Sequence, residues 1–305
     1  MQVELKNFWS ADAIGHTNSL GNDPTKHFLV DLFKNVESEI YLRCVITSHF
    51  GSQSSLRKLL TTLKRIHRKL NADGIERRRI LHGHTSDQYQ MDPGAINIWY
   101  TSENIRPPLD CDFQLFLSHD LDAYDGRNIY LPFWVTRLGN NLVEAANYQT
   151  QLSRSREIPV REGICAIISN PEPIRMAFIR QLSLRHKVDV YGAFGLPVSD
   201  KQEILSRYRI NICFENSESS GYVTEKPFEA WQAGCVPVWR GLDIAGHLNP
   251  SSLINVSKLG FIESINQIST IMESDNDLKK FTEQPLIQKK FDLKLLEKNI
   301  KSKIV

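Results

Sequence analysis

The chain has 305 residues, 41% apolar and 24% charged, enough for two medium-sized cores in a composition ordinary for a soluble protein. Its 37 basic and 35 acidic residues leave a formal charge of +2, which argues against a globally cationic nucleic-acid binder and makes any cationic function local. Five cysteines (Cys44, Cys111, Cys165, Cys213, Cys235) lack a Cys-x-x-Cys pair, and neither a charged leader before an apolar run nor about 18 consecutive apolar residues occurs, so the expectation is a reduced, cytoplasmic chain without a spanning helix.

In chain order, residues 1–155 mix short strand-like runs ("IYLRCVITS", "INIWYTS", "FQLFLS", "NIYLPFWV") with one long basic helical stretch. In that stretch Leu56, Leu59, Leu60, Leu63, Ile66 and Leu70 recur at helical spacing, so one face is core and the lysines and arginines lie outside. "NYQTQLSRSREIPVREG" is polar and strand-poor and reads as a linker. From residue 163 strands and helices alternate regularly: "GICAIISN", a helix from about Ile174 to Leu184, "KVDVYG", a helix near 199–207, "RINICF", a helix from about 225, and "CVPVWRG". That rhythm implies a parallel sheet with right-handed crossovers. The expected architecture is α/β, with an N-terminal unit over 1–155, a second over 156–285, and an amphipathic basic helix over 286–305. The tail carries six lysines against Asp292 and Glu297, with Phe291, Leu295, Leu296 and Ile300 about a helical turn apart.

The chemistry concentrates in "NICFENSESSGYVTEKPFEAWQAGCVPVWRG", residues 211–241. Parallel sheets hold ligands beyond the carboxyl ends of their strands, which is where Glu215 and Asn216 fall after "RINICF". Thr224 can cap a helix with Pro227 in its first turn and Gly234 at its end, clustering Tyr222, Glu225 and Lys226 at the helix N-terminus. Free N–H groups and about half a positive charge there favour a phosphate or diphosphate, Lys226 adds a full charge, and Glu225 suits the hydroxyls of a ribose or sugar. The competing reading, in which Glu225 complements the helix dipole and Lys226 is a solvated surface residue, is as good on these residues alone. In "VYGAFG" Gly192 marks a tight turn after a strand that lets backbone approach a base or sugar.

"FENSESSGYVTEKPFEAWQAGCVPVWRG" closely resembles the signature of the α1,3-fucosyltransferases, glycosyltransferase family 10, and further matches follow at "YTSEN" (100–104), "SNPEPIRMAFIRQL" (169–182), "VDVYGAFG" (188–195) and "HLNPSSLINV" (247–256). The resemblance implies a GT-B fold, two Rossmann-like α/β/α domains facing across a cleft. It implies an inverting transfer of L-fucose from GDP-fucose to a hydroxyl, O3 of N-acetylglucosamine or glucose, of an oligosaccharide or glycoconjugate. No cofactor is required on this reading, a divalent metal being at most stimulatory. Carried over by position, Glu103 in "YTSEN" matches the general base, Arg175 an arginine near the donor phosphates, and Tyr222, Glu225 and Lys226 donor-binding positions, with Glu215 and Asn216 as weaker matches.

Two readings from other classes stand beside this one. A different, metal-dependent nucleotide-sugar transferase would use the Asp-x-Asp of Asp120 and Asp122, although an ordinary loop is the commoner source of such a pair. A non-catalytic glycan-binding protein would keep the fold and lose turnover. His82 and His84 are two ligands short of a structural zinc site. The basic stretch at 56–70, Arg77 to Arg79 and the lysine-rich tail suggest peripheral membrane contact, against the commoner explanation of solvated faces.

Overall fold

The computed structural model describes residues 2–6, 8–10, 15–17, 22–35, 43–48, 89, 91–156, 158, 161–193 and 195–304. The basic stretch at 56–70, the arginines at 77–79 and the histidine pair at 82 and 84 lie outside the described residues. The chain forms two units, one of residues 1–145 with 292–305 and one of 146–291.

The first unit holds a five-stranded sheet in the order β1-β4-β5-β6-β7: Gln2–Lys6, Arg43–Ser48, Ile96–Tyr100, Leu115–Ser118 and Asn128–Tyr130, every neighbour parallel. A short antiparallel ribbon, β2 (Phe8–Ser10) with β3 (Gly15–Thr17), stands apart from it. Strands buried on both faces need apolar residues at every position rather than at alternate ones, and "CVITS", "NIWY" and "LFLS" are buried throughout. Helix α1 (Pro24–Lys34) starts where Asp23 accepts from the Thr25 N–H and Pro24 needs no donor, and it buries Phe28, Leu29, Leu32 and Phe33.

Two local expectations change. The run "NIYLPFWV" is strand only to Tyr130, after which Pro132 turns the chain into a short helix, α2 (Phe133–Thr136). Part of the expected linker is helix α3 (Leu142–Leu152). Asn141 accepts from the Glu144 N–H while Glu144 accepts from the Asn141 amide and the Asn140 N–H, a reciprocal cap strong enough to start a helix in a polar run.

The last helix of the chain runs over Leu293–Ile304 and packs on β7, burying Leu293, Leu296 and Ile300. Its apolar stripe is therefore turned into the first unit, and the residues expected to form a separate tail from 286 divide at 291/292 between the two units.

The second unit holds β8 (Ile164–Ile168), β9 (Val188–Gly192), β10 (Ile210–Ile212), β11 (Val236–Trp239) and β12 (Ile254–Asn255) in the order β12-β11-β10-β8-β9, all parallel. The crossovers are α4 (Pro173–Leu182), α5 (Lys201–Leu205) and α6 (Lys226–Ala233), followed by α7 (Val256–Glu273) and α8 (Asp275–Thr282); the Leu293–Ile304 helix is α9. Ile164, Ala166, Ile168, Phe178, Ile210, Ile212, Phe214, Val238 and Ile268 form the core. β8 has β9 on one side and β10 on the other, so consecutive connections leave it in opposite directions. That reversal opens a crevice beyond the carboxyl ends of β8 and β10, the place where open α/β sheets bind ligands.

His119, just past β6, gives the first unit a pH dependence. Burial holds its imidazole down at about 4, with Asp120 opposing. Unfolded, the group protonates near pH 6.5, so its contribution to stability is complete above that pH and is lost as pH falls from about 6.5 toward 4, by up to about 3 kcal/mol. Urea unfolding at about pH 7.5 and about pH 4.5 should show this loss, and His119→Leu should flatten it; an unchanged slope in the variant would contradict the assignment.

Candidate active site

β10 continues its pairing past the last strand residue: Cys213 N–H donates to Val238 O at 2.9 Å and Glu215 N–H to Arg240 O at 3.0 Å. Glu215 is thereby fixed at the carboxyl edge of the sheet, with 0% of its surface exposed. Its Oε1 accepts from Thr224 N at 2.9 Å and Trp239 Nε1 at 3.1 Å, and its Oε2 from Thr224 Oγ1 at 2.7 Å and Lys226 Nζ at 2.9 Å. A buried carboxylate is tolerated only when charge and lone pairs are met, and four donors meet them here.

The consequence is local and specific. Thr224 does not cap α6, because its hydroxyl is committed to Glu215; Glu225 occupies the cap position, with helical φ and ψ of −66° and −16° and no side-chain cap bond. Lys226 Nζ rests 2.9 Å from both Glu215 Oε2 and Thr224 Oγ1 while its side chain stays 22% exposed. Burial pulls its pKa down, but the charges of Glu215 and Glu225 more than offset this and leave it raised. Lys226 is thus a held, protonated ammonium at the first turn of an eight-residue helix.

Across the crevice, α4 starts where the Glu172 carboxylate accepts from Arg175 N at 2.9 Å. The Arg175 guanidinium donates to Asn170 O at 2.8 Å, to Phe214 O at 2.5 Å and to Asn216 Oδ1 at 3.2 Å. One side chain therefore ties the end of β8 to the end of β10, the two strands between which the sheet reverses. Burial lowers its pKa, with Glu172 and Glu215 opposing.

Of the residues singled out from sequence, Arg175, Glu215, Asn216, Tyr222, Glu225 and Lys226 share this edge of the second unit. Tyr222 is 2% exposed, in the loop between β10 and α6. Gly192 ends β9 at φ 98°, where a Cβ would overlap the Ile168 carbonyl, so only glycine fits beside the end of β8. Glu103 belongs to the first unit, just past β5. Its turn is closed by Thr101, whose Oγ1 accepts from Glu103 N at 3.0 Å and donates to Glu103 O at 3.1 Å, and the residue is half-buried.

Asp120 and Asp122 spend their oxygens on their own loop: Asp120 accepts from the Asp122 N–H at 3.1 Å and from the Tyr124 hydroxyl, and Asp122 from the Tyr124 N–H at 3.2 Å. Among the described residues no group of three or more His, Cys, Asp or Glu is arranged to hold a metal.

Sequence reasoning missed a second ionic cluster. Glu218 bridges the Arg240 guanidinium and the Ser257 hydroxyl, and Ser257 Oγ accepts from Gly241 N at 3.0 Å. This pins the loop after β10 to the end of β11 and the start of α7. Arg240 lies close enough to Arg175 to lower its pKa. Nothing in "VPVWRG" distinguishes Arg240 from a solvated strand-end cation, and Trp239 reads as plain core.

Two five-stranded parallel sheets, one in each of two Rossmann-like units, define the GT-B class of fold. A solved structure described as an alpha1,3-fucosyltransferase superposes with a TM-score of 0.64 at 20% identity, covering 99% of this chain and 89% of that one. Residues 160–284 match the family model for "Glycosyltransferase family 10 (fucosyltransferase) C-term". The chain is 36% identical over 229 residues to an alpha-(1,3)-fucosyltransferase, FucT, of Helicobacter pylori, covering 63% of this chain and 48% of that protein. It is 40% identical over 91 residues to the human 4-galactosyl-N-acetylglucosaminide 3-alpha-L-fucosyltransferase 9, covering 28% of this chain and 25% of that protein. The chain thus spans about half the length of the bacterial relative and a quarter of the human one.

Proposed function

We propose that this chain is an inverting fucosyltransferase that moves L-fucose from GDP-fucose to a hydroxyl, O3 of N-acetylglucosamine or glucose, of a glycan. The observation that carries the proposal is the Glu215–Thr224–Lys226 lock, which holds a charged, partly exposed ammonium at a helix N-terminus beside the strand reversal. A buried carboxylate with four donors is a costly way to place one lysine, and a diphosphate is the ligand such a place favours. Solved structures described as an alpha1,3-fucosyltransferase with GDP and with GDP-fucose superpose with TM-scores of 0.58 and support the reading.

In this reading Lys226 and the α6 N–H groups take the charge that grows on the departing GDP, with Arg175 and Asn216 shaping that wall of the site. Glu225 accepts hydroxyl hydrogen bonds from the ribose or fucose, and Tyr222 and Gly192 complete the donor pocket. Glu103 removes the proton of the attacking acceptor hydroxyl. The helix terminus and cations meet the diphosphate charge, so the reaction needs no metal. A reducing compartment such as the cytoplasm suits five buried free cysteines.

A donor comparison by thermal unfolding tests the proposal. A ligand at about 100 times its Kd adds roughly 2.7 kcal/mol to the folded state. GDP and GDP-fucose should raise the midpoint, while UDP-galactose and CMP-sialic acid should not. Protection by a UDP-sugar alone would reject fucosyl transfer.

A further inference from the structure

The segment after α3 builds a second polar site, in the second unit and separate from the edge that carries Lys226. A pocket of about 260 Å³ is lined by Tyr148, Arg154, Ser155, Arg156, Trp231 and Gln232, together with Gln151 and Leu152. Among the described residues its lining holds two guanidinium groups and no carboxylate. At about 30 Å³ of liquid volume per water, the space admits a small organic molecule.

Arg156 is the unusual member. Its guanidinium stacks on the Trp231 ring at 3.5 Å, and Nη1 donates to Gln232 O at 3.1 Å. Its Nε and Nη2 are buried and have no hydrogen-bond partner among the described residues. Those two nitrogens form one complete edge of the guanidinium fork, the edge that engages a carboxylate or phosphate through two parallel N–H bonds. Buried donors left unmet are rare because each forfeits its hydration without replacement. Burial also holds the Arg156 pKa down at about 10, with Tyr148 and Cys235 opposing.

A purely structural account covers part of this. Arg156 and Arg161 donate to Gln232 O and Ala233 O and so cap the last carbonyls of α6. That role uses Nη1 alone and leaves the paired edge unexplained. We infer that this pocket is an anion site, taking a small organic anion that presents a carboxylate or phosphate to the Nε/Nη2 edge of Arg156, with Arg154 supplying further positive charge. The inference is independent of the donor-site reading.

The test is a titration of the whole chain, followed by calorimetry and by the indole N–H resonances, with inorganic phosphate, D-glucuronate and, as the uncharged control, glucose. Phosphate and glucuronate should each shift the Trp231 indole signal, identified by its absence in Trp231→Phe, and glucose should not. Arg156→Gln should weaken the affinity read from the Trp231 signal at least about tenfold, the loss of a bidentate contact. Tighter phosphate or tighter glucuronate names the preferred head group, and either supports the site. An affinity at that signal kept in Arg156→Gln, or no shift with either anion, overturns it. If Arg156→Gln does not fold, the Trp231 signal of the parent decides: a signal unmoved by both anions rejects the site.

Discussion

Replacing Glu103 with glutamine is expected to lower kcat about 10²- to 10⁴-fold, the contribution of a positioned general base, with GDP affinity unchanged. Glutamine keeps the size of glutamate and its capacity to accept a hydrogen bond but cannot take up the acceptor's proton. The fold should tolerate the change. Thr101 closes the turn through the backbone N–H and carbonyl of residue 103, and these survive the substitution. Steady-state kinetics with GDP-fucose, paired with GDP calorimetry, separate the two effects. A kcat retained within about threefold would remove Glu103 from the chemistry, since even a weak general base contributes about 10²-fold.

The second large effect is on stability. Glu215→Ala should cost about 3–5 kcal/mol, the range for breaking a buried ion pair from one side. It would strand the buried Thr224 N–H and Trp239 indole N–H and take the charge partner from the partly exposed Lys226 ammonium. Glu215→Gln retains the size, places an amide where Lys226 and Thr224 donate, and should cost less than the alanine variant. Urea unfolding measures both. An alanine variant as stable as the parent would mean that Glu215 does not organise the loop. GDP affinity should fall with either substitution, because Lys226 loses the partner that fixes its position.

Much of the second unit was legible in the sequence because its signals are local. The strand at 164–168, the helix that starts beside Pro173, the helix closed by Gly234 and the strand at 236–239 each carry an apolar run or a cap within a few residues. The grouping of Glu215, Asn216, Glu225 and Lys226 followed from the rule that ligands gather beyond strand ends. What escaped was the partnership among them. Thr224 looked like a cap and is instead a hydrogen-bond bridge, since a buried carboxylate nine positions away competes for its hydroxyl. Trp239 and Arg240 belong to the site through contacts with residues more than twenty positions distant, and no spacing rule reaches that far. The return of Leu293–Ile304 to the first unit is likewise long-range: an amphipathic helix states that one face is covered, not what covers it.

Calorimetric titration of GDP into the parent chain and into Lys226→Ala, with the variant's fold checked by circular dichroism, tests the central claim most directly. Loss of one charge-assisted contact to the diphosphate is worth about 1.5–3 kcal/mol, so the variant should bind about 10- to 100-fold more weakly. A folded Lys226→Ala chain that binds GDP as tightly as the parent would contradict the account.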